Sequence, residues 1–268
     1  MKIIVAIKEI VDTNSLDVSS TKYMPKDLDS DDIIMNPNDK NAIEAALQIK
    51  ESKEGVTVHV LSLGSENALK VLREAIAMGV DSASRIEADD LDFLSSMAKT
   101  TILAKAIQKE QPDLIMTGMY STDFGQAQVP VILATMLNLP QVTYVDKLEI
   151  EDKTVTAERY IEGGSIKLKV PRPCVLSIAS TANEPRYTSV KRIMLAKKTQ
   201  IPVVSLADLE IDTTGLNNMG GLELIEIIQP QKSEIECFKV EEDDVEVGVD
   251  KLIAKLREDG IDLTIYKN

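Results

Sequence analysis

The sequence predicts an α/β protein with a doubly wound, mostly parallel sheet, an antiparallel β extension and a C-terminal arm. Three observations carry this prediction. Short Val- and Ile-rich runs alternate with longer segments of helical periodicity up to Pro140, the pattern of βαβ units whose sheet is covered on both faces. Strand-like runs separated by Glu-Asp-Lys and Glu-Gly-Gly then follow one another with no helix between them, as hairpins do. From about Val203 the periodicity fades. The expected organisation is a body at 1–200 and an arm at 201–268.

Strands are expected at residues 3–7, 56–63, 83–87 and 114–118, with helices near 39–52, 66–78 and 91–108. The second helix shows Ala68, Leu69, Leu72, Ala75, Ile76 and Met78 at helical spacing, with Gly79 as a stop signal. The methionines read as core filler. After Gly118 come a loop and a helix at about 126–139, ended by Pro140. Residues 147–150 and 155–160 form a hairpin across Glu151-Asp-Lys153, and 166–170 and 174–179 are expected to continue that antiparallel structure. A helix at 189–198 closes the body. The tail contains Asn217-Asn-Met-Gly-Gly221 and Glu241-Glu-Asp-Asp244, too little periodicity for a core of its own, and ends in an amphipathic helix at 249–258. It reads as an arm that packs on another subunit, with a peripheral lobe on its own domain as the alternative. Residues 27–32 read as an acidic loop.

A balance of 30 basic against 44 acidic residues gives a net charge of -14, which repels nucleic acid and anionic lipid at long range. Nucleic-acid binding is therefore not expected. Lys191, Arg192, Lys197 and Lys198 form the strong local basic run, either a solvated helix face or a place to meet an acidic partner. Cys174 and Cys237 lie far apart, and the single His59 sits in Val56-Thr-Val-His-Val-Leu61. The parts of a zinc site, a disulfide framework or a cysteine–histidine pair are missing, so no metal site is expected. The run Met1-Lys-Ile-Ile-Val-Ala-Ile-Lys8 is too short to span a bilayer and lacks a small-residue cleavage site. It reads as the first strand of a cytoplasmic protein without membrane insertion.

An open parallel sheet binds ligands beyond the carboxyl ends of its strands, where helix amino termini expose unpaired N–H groups. Four loops meet that requirement: Ala6-Ile-Lys8, Asn36-Pro-Asn-Asp39, Ser62-Leu-Gly-Ser65, and the stretch from Gly118 through Ser121 to Val129. The last is the best phosphate cradle. Gly125 allows close backbone approach, Ala127 leaves room and the following helix dipole favours an anion. Asp123 would repel phosphate and fits better as an acceptor for a ribose hydroxyl or an amide. Gly125 also serves as an ordinary turn residue. No Gly-X-Gly-X-X-Gly follows the first strand and no Walker lysine is present, so the dinucleotide-fold dehydrogenase and P-loop readings lack their main support.

The stretch Ala157-Glu-Arg-Tyr-Ile-Glu-Gly-Gly-Ser-Ile-Lys-Leu-Lys-Val-Pro-Arg-Pro-Cys-Val-Leu-Ser177 is followed by Asn183-Glu-Pro-Arg-Tyr187 and Lys191-Arg-Ile-Met-Leu-Ala-Lys-Lys198. It resembles the signature region of the beta subunit of electron transfer flavoproteins. Ile166 departs from it, standing where the family usually has Glu or Gln. Asn36-Pro-Asn-Asp39 with Ala42, Glu44 and Ala45 resembles the family's Asn-Pro motif opening a nucleotide-contacting helix, where Asn36 would contact adenosine. Helix capping by Asn38 or Asp39 explains part of this pattern equally well. Asp123-Phe-Gly-Gln-Ala-Gln-Val129 resembles the family's Asp-Gly-Asp-Thr-Ala-Gln-Val loop, with Gln126 at the Thr position and Gly125 at the second Asp. These changes remove a hydroxyl and a carboxylate, leaving mainly backbone contacts to phosphate. Ala6, Leu63 and Gly118 fall at family contact positions. The expected cofactor-binding set is therefore Ala6, Asn36, Pro37, Asn38, Asp39, Leu63, Gly64, Gly118, Asp123, Gly125, Gln126, Ala127, Gln128 and Val129.

The resemblance implies a heterodimer with an electron transfer flavoprotein alpha subunit, delivering electrons to or from a flavin-dependent dehydrogenase. In one branch the beta subunit holds AMP; in the other it holds FAD that receives hydride from NADH and splits the electron pair. The expectation here is the FAD branch, on the chain's acidic, tryptophan-free, Lys- and Ile-rich character. Val190 would be the apolar anchor for the dehydrogenase, with Lys191 and Arg192 as a charged rim. Arg159 and Glu162 either bias a flavin or form a cross-strand pair. No side chain needs to act as acid, base or nucleophile, because the redox chemistry is the cofactor's. Two other classes compete. One is an adenine nucleotide alpha-hydrolase-like or universal-stress-type nucleotide sensor, opposed by the Glu-Gly-Gly segment and the long tail. The other is a standalone NAD-dependent enzyme, opposed by the absent glycine fingerprint.

Overall fold

A computed structural model describes residues 1–12, 32–87, 95–216 and 237–261. Most of the expected acidic loop, the start of the helix expected at Leu91 and the Asn217–Gly221 stretch lie outside the described residues. The chain divides into two compact units, Met1–Ile225 and Glu226–Asn268.

Strand β1 (Lys2–Ile7) lies inside the first unit's sheet, between β4 (Thr57–Gly64) and β6 (Leu114–Gly118), parallel to both. Ile3, Val5 and Ile7 face one core layer and Ile4 the other, so residues of both parities must be apolar. Helices α1 (Pro37–Ser52) and α2 (Ala68–Met78) cover the first face through Ile43, Leu47, Val71 and Leu72. Helix α3 (Ser96–Glu110) covers the second through Ile102 and Ile107. Each helix ends as its sequence dictates. Gly79 adopts φ 128 and its N–H reaches Ala75 O and Ile76 O, while Ser95 caps α3 by accepting from Ala98 N.

From β1 the chain moves to β4 and on to β5 (Ser82–Glu87), then returns to β6 on the opposite side of β1. That reversal makes the gap between the carboxyl ends of β1 and β6 the topological switch point. A two-stranded antiparallel ladder, β2 (Glu9–Val11) with β3 (Ile33–Met35), was not expected from the sequence. It carries the chain back to β1, so that Asn36 N donates to Lys8 O at 3.0 Å.

The antiparallel extension is present with one correction. Residues 174–179 do not continue it. Strand β10 (Cys174–Ile178) runs parallel inside the main sheet, between β6 and β7 (Gln141–Ile150). All five of its residues are buried, and an unbroken buried run suits a strand covered on both faces rather than a half-exposed hairpin arm. Strand β7 also begins six residues earlier than the expected 147. Its first half pairs parallel with β10 and its second half antiparallel with β8 (Thr154–Ile161). Tyr144, at φ 56, marks the irregularity, and its N–H is taken by Ser177 Oγ at 3.1 Å. Strand β9 (Gly164–Pro171) completes the hairpin with β8 around Gly163, φ 81.

Helix α4 (Val129–Leu137) is shorter than expected because Gly125 and Ala127 have left-handed φ of 64 and 53, and Asn138 closes it in the same region. It packs on the α3 side of the sheet through Leu133 and Ala134. Helix α5 (Val190–Lys198) is capped by Ser189. Strand β11 (Val203–Val204) pairs with β5, and α6 (Thr213–Leu216) follows, with Leu209 and Leu216 buried in the α3-side core. Residues 203–216 therefore add to the sheet body. In the second unit, α7 (Val245–Glu258) is capped by Asp244 and buries none of its residues. It begins four residues before the expected 249.

Candidate functional site

The switch point is organised by one carboxylate. Asp39, in the first turn of α1, accepts from Lys8 N through Oδ2 at 2.8 Å and from Gly118 N through Oδ1 at 3.1 Å. It thereby ties together the carboxyl ends of β1 and β6. Burial pushes its carboxyl up to about 7, against the bonds from Lys8 N, Asn36 and Gly118 N and the nearby Lys8 charge. Gly118 is required by this packing, because a Cβ there would lie 2.4 Å from Asp39 Oδ1 and 2.7 Å from the Asn38 carbonyl carbon.

Asn36 and Asn38 converge on the next loop. Their Nδ2 atoms donate to Tyr120 O at 3.0 and 2.9 Å, and Asn36 Oδ1 accepts from Thr122 N at 3.3 Å. Asn36 occupies the N-cap position of α1 without a side-chain capping bond, and Pro37 follows it in the first turn. Helix capping thus does not account for these polar residues, which hold the 118–122 loop.

A second buried carboxylate fixes the neighbouring strand end. Glu9 Oε1 accepts from Ser65 N at 2.7 Å and Ser65 Oγ at 2.9 Å. A Cβ on Gly64 would lie 2.6 Å from the same oxygen. Sequence reasoning missed Glu9. Its signal was a lone carboxylate in the otherwise apolar Glu9-Ile-Val11, next to the end of the first strand.

Sequence reasoning gave Lys8, on the first of the four candidate loops, no side-chain role. Its ammonium reaches Asp123 Oδ2 at 2.5 Å and lies 4.6 Å from the Phe124 ring centroid. The acidic side chain that argued against phosphate therefore carries its own counter-charge. Phe124 is 59% exposed, and Lys99 Nζ lies 5.9 Å from its ring. Gly125 donates to Ser121 O at 2.7 Å, and a Cβ there would meet nothing within 4 Å. Gln126 Oε1 accepts from Ser96 Oγ at 2.7 Å. Gln128 holds the N-cap position of α4, so Val129 opens a helix whose first N–H groups lack intrahelical acceptors. Ala6 is buried and pairs with Leu61 and Thr117, while half-buried Leu63 pairs with Ile86.

The structure thus groups Ala6, Asn36, Asn38, Asp39, Gly118 and Asp123 around the β1–β6 gap, with Leu63 and Gly64 one strand over. Backbone N–H donors, a lysine and a carboxylate acceptor are the chemistry that a phosphate and a ribose hydroxyl require. Among the described residues, no group of three metal-ligating side chains occurs and no helix is long and apolar enough to cross a membrane.

A second surface lies at α5. Val190 is 78% exposed, and Met194, Leu195 and Tyr187 are also exposed. Lys191 stands beside them, whereas Arg192 Nη1 donates to Met78 O at 2.9 Å, closing the end of α2. In the β extension Lys147 pairs with Glu158 across β7 and β8, and Lys169 of β9 pairs with Glu151 in the β7–β8 turn, while Arg159 Nε is buried without a hydrogen-bond partner.

Residues 28–209 match the electron transfer flavoprotein domain family. The chain is 38% identical over 222 residues to the electron transfer flavoprotein subunit beta of Thermoanaerobacterium thermosaccharolyticum, covering 82% of this chain and 84% of that protein. The chain belongs to the electron transfer flavoprotein beta-subunit family. The Megasphaera elsdenii beta subunit is 32% identical over 271 residues, 96% of this chain and 98% of that protein. The caffeyl-CoA reductase-Etf complex subunit CarD of Acetobacterium woodii is 35% identical over 222 residues, 81% of this chain and 84% of that protein. The match to the family includes both the Asn-Pro helix and the Asn183–Tyr187 loop, the two segments that flank the sites described above.

Proposed function

We propose that this chain is the nucleotide-binding half of a two-subunit electron carrier of the electron-bifurcating type, holding FAD at the β1–β6 switch point and taking electrons that originate in NADH. The observation that carries the reading is the Asp39 clamp. It fixes two strand ends and, with Asn36 and Asn38, the start of the loop on which Asp123 meets the Lys8 ammonium.

In this reading, the first-turn N–H groups of α4 would hold a phosphate oxygen, and Lys8 would supply positive charge beside it. Asp123 then accepts from a ribose hydroxyl. Gly125 leaves the loop backbone open to close approach, and Asp39 keeps the two strand ends from separating. FAD, when bound, supplies the hydride and single-electron chemistry, and the chain places it and excludes water. The exposed apolar face of α5 serves as the docking surface for a flavin-dependent dehydrogenase, with Val190 as its anchor and Lys191 and Arg192 at its rim. The Acetobacterium relative is named as a subunit of a caffeyl-CoA reductase-Etf complex. The second unit, whose α7 exposes Val245, Val247, Val249 and Leu252, covers an alpha subunit.

Titration of the purified heterodimer with NADH, followed in the visible spectrum, tests the reading. Two flavins bleaching per heterodimer support it. A single flavin that NADH does not reduce overturns the bifurcating assignment.

A further inference from the structure

The docking face is carried on a segment with little core of its own: Ala196 is the single buried residue of α5. Helix α5 packs on α2, where Arg192 Nη1 donates to Met78 O, while the 183–187 loop that leads into it is held by polar bonds to α1. Arg186 reaches Glu44 through Nε at 2.7 Å and Nη2 at 2.9 Å, and Glu51 through Nη1 at 2.6 Å and Nη2 at 3.2 Å. Its backbone N–H also donates to Glu44 Oε2 at 3.2 Å. Three residues earlier, Asn183 and Asn41 exchange bonds, with Asn41 Nδ2 to Asn183 O at 2.8 Å and Asn183 Nδ2 to Asn41 O at 3.0 Å. Burial opposes the charge on Glu44, but the side-chain and backbone bonds from Arg186 outweigh it and hold that carboxyl below its ordinary range. Glu51 is held low by the same guanidinium. Two planar two-point contacts from one arginine fix a direction as well as a distance, which a lysine cannot reproduce.

We propose that Arg186 is a positioning residue for the docking of the partner dehydrogenase: it locks onto α1 the loop that carries Tyr187 and leads into α5, in the orientation the partner meets. This rests on the docking reading above. The lock removes conformational freedom before association, so its loss reduces the fraction of docking-competent molecules and weakens the encounter without touching the electron-transfer step.

The test uses the intact heterodimer. Arg186→Met and Arg186→Lys are compared with Val190→Asp in steady-state electron transfer to the flavin-dependent dehydrogenase, with amide hydrogen exchange of residues 184–195 measured in parallel. The expected result for Arg186→Met is a rise in KM for the dehydrogenase of about tenfold at unchanged kcat and unchanged bound nucleotide, with faster exchange in 184–195. Arg186→Lys recovers only part of the loss. If Arg186→Met lowers the yield of folded protein, Glu51→Gln, which removes only the exposed half of the contact, shows the same KM-specific effect in smaller measure. An unchanged KM in the Arg186 variants, or in Glu51→Gln where only that variant folds, overturns the proposal, whatever the exchange rates. When Val190→Asp raises KM in the same experiment, only the positioning role fails; when it too leaves KM unchanged, the docking surface itself is wrong.

Discussion

Arg186 and Glu44 lie 142 positions apart and meet through two hydrogen bonds from one guanidinium, with a third from the arginine backbone. The contact joins the Asn183-Glu-Pro-Arg-Tyr187 loop to the helix that opens at Pro37. Two segments read separately in the sequence are therefore parts of one structure. Glu44 is 5% exposed, whereas the Glu51 side chain is 60% exposed. Removing Glu44 leaves a partly buried cation with half its partners. Glu44→Ala is expected to cost about 1–3 kcal/mol, and Glu51→Ala less than about 1 kcal/mol because solvent screens the exposed pair. Urea unfolding of the two variants measures the difference.

Gly118 and Gly125 flank the same loop yet demand glycine for different reasons. At Gly118 an added methyl meets Asp39 Oδ1 at 2.4 Å and backbone at 2.7 Å, while at Gly125 it meets nothing within 4 Å but sits at φ +64. Gly118→Ala is expected to disrupt the clamp, costing more than about 3 kcal/mol or preventing folding. Gly125→Ala costs about 1–2 kcal/mol from its left-handed backbone. Comparing thermal midpoints of the two variants tests this order.

Asp39 makes stability depend on pH in the direction opposite to most surface carboxylates. Its carboxyl is raised from 3.8 to about 7 by burial, so the folded state binds a proton that the unfolded chain releases earlier. The stability this supplies is complete below about pH 4 and is lost as pH rises through about 7, a change on the order of 4 kcal/mol at most. Asp39→Asn removes the group's titration, and one of the two backbone donors loses its acceptor. Urea midpoints at pH 5 and pH 8 should differ more in the native protein than in the variant. Equal differences would show that Asp39 does not titrate in this window.

Much of this fold is legible in the sequence because burial on two faces forces unbroken apolar strands, and β1 and β6 have such runs. Strand β10 carries the same signal in Cys174–Ile178, but its neighbourhood of hairpin turns masks it. The passage from parallel to antiparallel pairing in β7 depends on the left-handed Tyr144 and the Ser177 hydroxyl, which sequence spacing does not encode. At the site, glycines and the Asn-Pro start of α1 are readable because backbone geometry restricts which residues fit. Lys8 shows in the sequence only as a loop position and Glu9 only as a lone carboxylate in an apolar run; their partners, and the Arg186–Glu44 contact, are not readable, since each partner is distant in sequence.

Val190 is 78% exposed on a helix whose apolar side has no cover among the described residues. Val190→Asp places a charge at the amino-terminal end of that face. Electron transfer to the partner dehydrogenase should slow at least tenfold, about 1.4 kcal/mol, with bound nucleotide unchanged. Equal loss of nucleotide and electron transfer would point instead to damage of the fold.

The central claim is that loops at the carboxyl edge of β1 and β6 hold a flavin adenine nucleotide. Its most direct measurement is nucleotide extraction from the purified heterodimer, with quantitation of FAD and AMP in the native protein and in the Gly125→Ala variant. Two FAD per native heterodimer, one of them selectively depleted in the variant, is the result expected. One FAD with one AMP would place AMP at this edge, and a single FAD with no second adenine nucleotide would contradict the site altogether.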